Sequence, residues 1–288
     1  MSERFERVSI VGVGLIGGSL GLALCAKRLA GRVVGVGHRQ TSIDKALKMG
    51  AIDEGTLDIV AGTREADLVV LATGVELIVR MGETIAPHLK VGCVVSDVGS
   101  TKSMLAKKLE AALGGGVHFV GAHPIAGSEK RGIGAASADL FEGTVCVLTP
   151  TSATDRGAME RVAALWREVG ADIATLSPEE HDSILARTSH VPHLAAAALI
   201  ASLEKADEDF VGTGLRDTTR VASGDVGIWC DIAMTNREAV LHALDTVGAK
   251  LSELRRAIET GDRDGLAAIL AAVKARRDEI WPDTSASA

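Results

Sequence analysis

Four short stretches gather the side chains able to move protons or hold anions: SDVGSTK at 96–102, GAHPIAGSEKRG at 121–132, TSHVPHLAAAAL at 188–199 and GLRDTTRVASGD at 214–225. An imidazole, with an ordinary pKa of about 6.5, changes charge near neutral pH and can act there as a general base. A histidine in apolar surroundings is more often structural, yet His123 directly follows a strand-like run, where ligands of doubly wound sheets sit. Ser100 has the same placement, at an expected helix N-terminus that can face an anion or one end of a bound cofactor. His190 and His193 stand three residues apart beside Pro192, where a helix is expected to kink. Zinc would need third and fourth ligands at recognisable spacing, and no H-E-x-x-H or cysteine pair supplies them, so no metal is expected. Arg216, Asp217 and Arg220 are too densely polar for a simple core helix; alone they read as a solvated loop with internal ion pairs.

These residues need elements to hold them. Through the first 175 residues RVSIVG, RVVGVG, ADLVVLAT, CVVSDVG, HFVGAH, TVCVLTP and ADIATLS alternate with helix-like segments, which is the pattern of βαβ units and a mostly parallel sheet. The first strand runs into Gly12-x-Gly14-x-x-Gly17 and an apolar helix. The three glycines permit a tight turn, a backbone close to a pyrophosphate and tight helix-on-strand packing, so Gly12, Gly14, Leu15, Ile16 and Gly17 are expected to hold a dinucleotide. After the second strand an acidic side chain would bind the ribose hydroxyls of NAD, but Gly37 occupies that position. Arg39, with His38 and Gln40, is suited to charge-assisted hydrogen bonds with the 2′-phosphate of NADP. NADP is therefore the expected cofactor and NAD the alternative. At LSPEEHD the character changes: Ser177, Pro178 and Glu180 form a capping box, and helix-compatible sequence follows to about Pro282. The expected domains are 1–176 and 177–281, with 282–288 a small, polar, disordered tail.

A formal charge of −7 and an aromatic content of 2% give neither a basic stripe nor stacking residues, so nucleic acid is not an expected partner. The longest apolar stretches fall well short of the ~20 residues of a spanning helix, and no signal-peptide pattern opens the chain. Cys25, Cys93, Cys146 and Cys230 are scattered, without a C-x-x-C pair, and read as reduced, buried thiols of a cytoplasmic protein.

The ordered set GVGLIGGS, SDVGSTK, GAHPIAGSEKRG, SHVPH and RDTTR followed by WCDIAMTNR resembles the prephenate dehydrogenase family, with its arogenate and cyclohexadienyl members, from about Ser9 to Trp281. The resemblance implies an N-terminal Rossmann-type doubly wound parallel sheet, a C-terminal all-helical dimerisation domain and hence a homodimer. It implies oxidative decarboxylation of prephenate to 4-hydroxyphenylpyruvate in tyrosine biosynthesis, or of arogenate to tyrosine. On this resemblance His123 accepts the proton of the substrate's ring hydroxyl and Ser100 supports that hydroxyl and the cofactor. Substrate is held by His193, Ser128 and Arg220, the last pairing with a carboxylate; Glu129 and Asp217 form an ionic network at the pocket mouth, with Trp229 close by. Gly37 departs from the acidic residue of NAD-dependent members, and HRQ at 38–40 looks like the arginine-bearing loop of NADP-dependent arogenate dehydrogenases. Gly74 replaces a common proline, leaving the path of that loop open. A β-hydroxyacid dehydrogenase would need a lysine early in the first long helix of the second domain, whereas Lys205 comes too late; a non-catalytic dinucleotide sensor would leave His123, His193 and Arg220 without a purpose.

Overall fold

The computed structural model describes residues 4–127 and 131–282. Eight strands form one sheet: β1 (Phe5–Val11), β2 (Ala30–Val36), β3 (Glu54–Thr56), β4 (Leu68–Leu71), β5 (Val94–Asp97), β6 (His118–Pro124), β7 (Val145–Thr149) and β8 (Asp172–Thr175). Their order is β3-β2-β1-β4-β5-β6-β7-β8. Neighbours run parallel except β6 and β7, which pair antiparallel with His123 opposite Val147. The seven apolar runs in the sequence are all strands. The additional one, β3, is Glu-Gly-Thr at the sheet edge, with no buried residue and so no hydrophobic signal.

Interior strands such as β4 (LVVL) are buried along their whole length because helices cover both faces. On one face α1 (Leu15–Lys27), α2 (Gln40–Met49) and α6 (Arg156–Glu168) bury Leu20, Leu24, Ile43 and Trp166 with Ile10 of β1. On the other, α3 (Ile59–Thr63), α4 (Val75–Ile85) and α5 (Ser103–Ala112) pack Ile78, Leu105 and Leu109 on Val11 and Leu71. A strand order beginning 3-2-1-4-5-6 reverses direction between β1 and β4, and the crevice outside the carboxyl ends of those two strands is where such sheets bind ligands.

Beyond the sheet the chain is helical. The capping box at Ser177 and Glu180 opens α7 (Pro178–Leu185) as expected. Before Pro192, where a kink is expected, the backbone makes a wide, π-helical turn over Ala186–His190 that leads into α8 (Val191–Ala201). Proline lacks an N–H and crowds the carbonyl four residues back, and the wider turn relieves both. There follow α9 (Thr213–Thr219), α10 (Val226–Thr235), α11 (Arg237–Glu259) and α12 (Arg263–Ile280). Packing divides the chain into two units, 1–239 and 240–288. In the second, α11 turns into α12 through Gly261, whose φ of +66° suits glycine, and Asp262 caps the new helix. Leu241, Leu244, Val247 and Leu251 form an exposed apolar stripe on α11. No described helix is long and apolar enough to cross a membrane. Of the cysteines, Cys93 and Cys146 are buried and Cys25 is half-buried, but Cys230 departs from expectation: it is exposed on α10.

Candidate active site

The glycine loop has the geometry its spacing demands. Gly12 has a φ of +101°, and a Cβ there would lie 2.4 Å from the Ala72 carbonyl oxygen at the end of β4; a Cβ on Gly17 would lie 2.1 Å from the Gly12 carbonyl. A Cβ on Gly14 would meet nothing within 4 Å, so at this one glycine the space beside the backbone is open. Gly14 is also the N-cap of α1, and no side chain caps that helix. Open backbone and uncapped N–H groups fit a pyrophosphate. The N–H groups that would receive it belong to Gly14, Leu15, Ile16 and Gly17; that of Gly12, also expected here, instead donates to the Val36 carbonyl at 2.8 Å, so Gly12 serves the turn.

Gly37 directly follows the second strand, and a Cβ there would press on Ile43 at 3.0 Å, a fully buried core residue. His38, Arg39 and Gln40 are exposed. Arg39 is the N-cap of α2, and Gln40 donates to Asp44 at 2.7 Å. Asp44 therefore lies in the second turn as a hydrogen-bond acceptor and not as a helix cap. At the next loop, Gly74 is the N-cap of α4 with φ −62° and ψ 153°. Proline adopts the same angles, so the chain follows the path that a proline would impose.

His123 stands near the carboxyl end of β6 and is partly buried. Its Nδ1 is 2.8 Å from Nε2 of His181, whose Nδ1 is 2.9 Å from Oδ1 of Asp182. Burial first, then the His181 ring, the Lys102 ammonium and His190, holds His123 well below the ordinary histidine range. The ring is thus neutral at pH 7 and available as a proton acceptor. Beneath it Lys102 and Asp97 form a fully buried ion pair, and the Lys102 ammonium also donates to the Ala122 carbonyl at 2.9 Å. Asp97 accepts in addition from Gly99 N–H at 2.8 Å and Ala122 N–H at 3.3 Å. These bonds tie β5, the loop after it and β6 together one residue from His123. Ser100, half-buried, lies in that loop; the expected helix begins three residues later, at Ser103. Its cap comes from afar: Asp182 of α7 accepts from the N–H of Lys102 at 2.7 Å and of Ser103 at 2.9 Å. Burial alone would raise Asp182, but bonds from His181 and from these N–H groups hold it below the usual carboxylate range.

The two later histidines are both buried. His193 stacks on Trp229 with ring centroids 3.6 Å apart, and its Nδ1 has no hydrogen-bond partner. His190 meets the same indole edge-on at 6.3 Å and approaches the Asn236 amide nitrogen at 3.2 Å, while its Nε2 is unpartnered. Burial pushes His190 down to about 4. Arg220 opens a short 3-10 turn after α9 and is exposed. Asp217, expected in an ionic network with Glu129, forms an exposed pair with its neighbour Arg216 at 3.6 Å. Ser128 and Glu129 lie outside the described residues. Arg131 reaches Asp225, the N-cap of α10. The sequence reading missed His181, Asp182, Lys102, Asp97 and Asn236. His181 and Asp182 stand side by side in LSPEEHD, Asp97 and Lys102 lie in SDVGSTK and Asn236 lies in WCDIAMTNR, but nothing in those stretches says which distant groups they meet.

A glycine loop at the switch point of a doubly wound sheet, with a neutral histidine on the same edge, defines a dinucleotide-dependent oxidoreductase. Residues 20–175 match the family model "Prephenate dehydrogenase, nucleotide-binding domain", and residues 177–272 match "Prephenate dehydrogenase, dimerization domain". The chain belongs to the prephenate dehydrogenase family. It is 33% identical to the prephenate dehydrogenase of Bacillus subtilis over 97% of this chain and 77% of that one. Among solved structures it is similar to the prephenate dehydrogenase of A. aeolicus in complex with hydroxyphenyl propionate and NAD+, at 35% identity and a TM-score of 0.90 over 97% of this chain and all of that one. It is also similar to Synechocystis arogenate dehydrogenase, at 30% identity and a TM-score of 0.82 over 95% of this chain and 99% of that one.

Proposed function

We propose that the chain oxidatively decarboxylates prephenate to 4-hydroxyphenylpyruvate, a step of tyrosine biosynthesis, with His123 as the base and NADP as the preferred dinucleotide. The observation that carries this is the place of His123 near the carboxyl end of β6, with its Nδ1 held by His181 at 2.8 Å. When bound at the glycine loop, the dinucleotide supplies a hydride acceptor. His123 takes the proton of the ring hydroxyl as its carbon is oxidised, and Ser100 supports that hydroxyl. Loss of carbon dioxide leaves an aromatic ring, so the reaction is driven strongly and the protein has chiefly to orient the reactants and receive one proton. His193, braced by Trp229, and Arg220 hold the substrate, Arg220 through a carboxylate, with Ser128, Glu129 and Asp217 around the pocket mouth.

NADP is favoured by Gly37, which offers no carboxylate to repel a 2′-phosphate, and by the exposed Arg39 at the N-cap of α2. The second reading is an NADP-dependent arogenate dehydrogenase, supported by the same loop and by the likeness to the Synechocystis enzyme. Steady-state kinetics with prephenate and arogenate, each with NAD and NADP, tests both; turnover of neither substrate overturns them. The exposed stripe Leu241, Leu244, Val247 and Leu251 supports a homodimer built through the helical half. Light scattering at micromolar concentration is expected to give twice the chain mass of 29.8 kDa, and a monomer mass refutes the dimer.

A further inference from the structure

We propose that His181 and Asp182 are positioning residues that hold His123 as its Nδ1–H tautomer and leave the basic lone pair on Nε2. The proposal rests on the reading of His123 as the proton acceptor. Asp182 is almost fully buried, and its two oxygens accept from two backbone N–H groups of the α5 start. With its ionised form held by those bonds, the carboxylate can only accept. His181 Nδ1, 2.9 Å away, therefore carries a hydrogen. In a neutral ring the lone pair then lies on Nε2, the atom 2.8 Å from His123 Nδ1, so His123 must be the donor in that contact. The neutral His123 ring is left with its lone pair on Nε2, for which the described residues supply no hydrogen-bond partner.

The arrangement also provides for the charge. When the substrate's O–H bond breaks and its proton bonds to Nε2, His123 becomes an imidazolium whose Nδ1–H already points at His181. The Asp182 carboxylate stands behind that second ring. A ring free to choose the other tautomer would present an N–H to the hydroxyl and could not take its proton.

Ring nitrogen NMR of the full-length protein labelled with 15N-histidine reads the tautomer directly, with His123 assigned by its loss in His123→Asn. The wild type is expected to be protonated at Nδ1 and bare at Nε2, and His181→Leu to move protonation toward Nε2. In kinetics, His181→Leu is expected to lower kcat by ~10²-fold or more with KM nearly unchanged, the scale of a general base or a wrong tautomer. His181→Gln, whose amide oxygen can accept the same hydrogen bond, is expected to recover at least about tenfold of that loss. Wild-type His123 protonated at Nε2 overturns the proposal, whether or not His181 carries a positive charge. So does a normal kcat in His181→Leu, or a Gln variant no better than the Leu variant. Failure of the underlying reading is separate: it appears as near-normal turnover in His123→Asn itself.

Discussion

At the scale of the residue, His123 and Arg39 are expected to fail in different ways. His123→Asn removes a group that matters as its proton arrives, so kcat is expected to fall by ~10²-fold or more while KM for substrate changes little. The sign of the pH effect follows from burial. His123 is held below the ordinary range, so activity is kept through pH 6.5 and lost only as pH falls through the depressed value. A kcat limb centred at or above pH 6.5 contradicts this. Arg39→Ala is expected to raise KM for NADP and leave that for NAD nearly unchanged, and a wild-type kcat/KM that is higher with NAD refutes the cofactor assignment. His123 was legible because it follows an apolar run and so declares its place at a strand end. His181 and Asp182 were not: their partners lie 58 and 80 residues away in sequence, a pairing that depends on how α7 lands on the sheet.

Among the elements, strands were the easiest to read. Parallel strands covered on both faces are apolar throughout, as β4 is, whereas β3 at the edge has no fully buried residue and gave no sign. The start of α7 was equally plain, since Ser177 and Glu180 act over three residues and need nothing distant. The start of α5 was displaced from its expected place because its cap is Asp182, borrowed from another helix. The loop before α4 allows a direct test. Gly74 has the backbone angles of a proline, so Gly74→Pro is expected to stabilise the protein by about 0.4–1 kcal/mol through the unfolded chain. The nearest obstacle to a Cβ is the flexible end of Asp231 at 3.2 Å. Thermal unfolding is expected to show a higher Tm; a lower one means that the ring strains the turn.

The whole molecule carries its site as a stability liability in acid. His190 titrates near 4 when folded against an ordinary 6.5, so the unfolded chain gains a proton first as pH drops. Its contribution is complete above pH 6.5 and declines toward pH 4, by roughly 3 kcal/mol at the scale of 1.36 kcal/mol per unit. Tm is expected to fall across that window less steeply in His190→Gln than in the wild type; equal slopes refute the assignment. Asp182 has a consequence of another kind. The carboxylate that caps α5 also anchors the ring behind His123, and so the polarity of the base and the seating of a helix on the sheet are inherited together. In recombination between relatives, a crossover at residue 176 would look harmless, since it falls between βαβ units and helices. It would separate Lys102 and His123 from His181 and Asp182. Chimeras that keep these four from one parent are expected to retain turnover, whereas mixed sets are expected to lose the seating of α5 and the orientation of the base together.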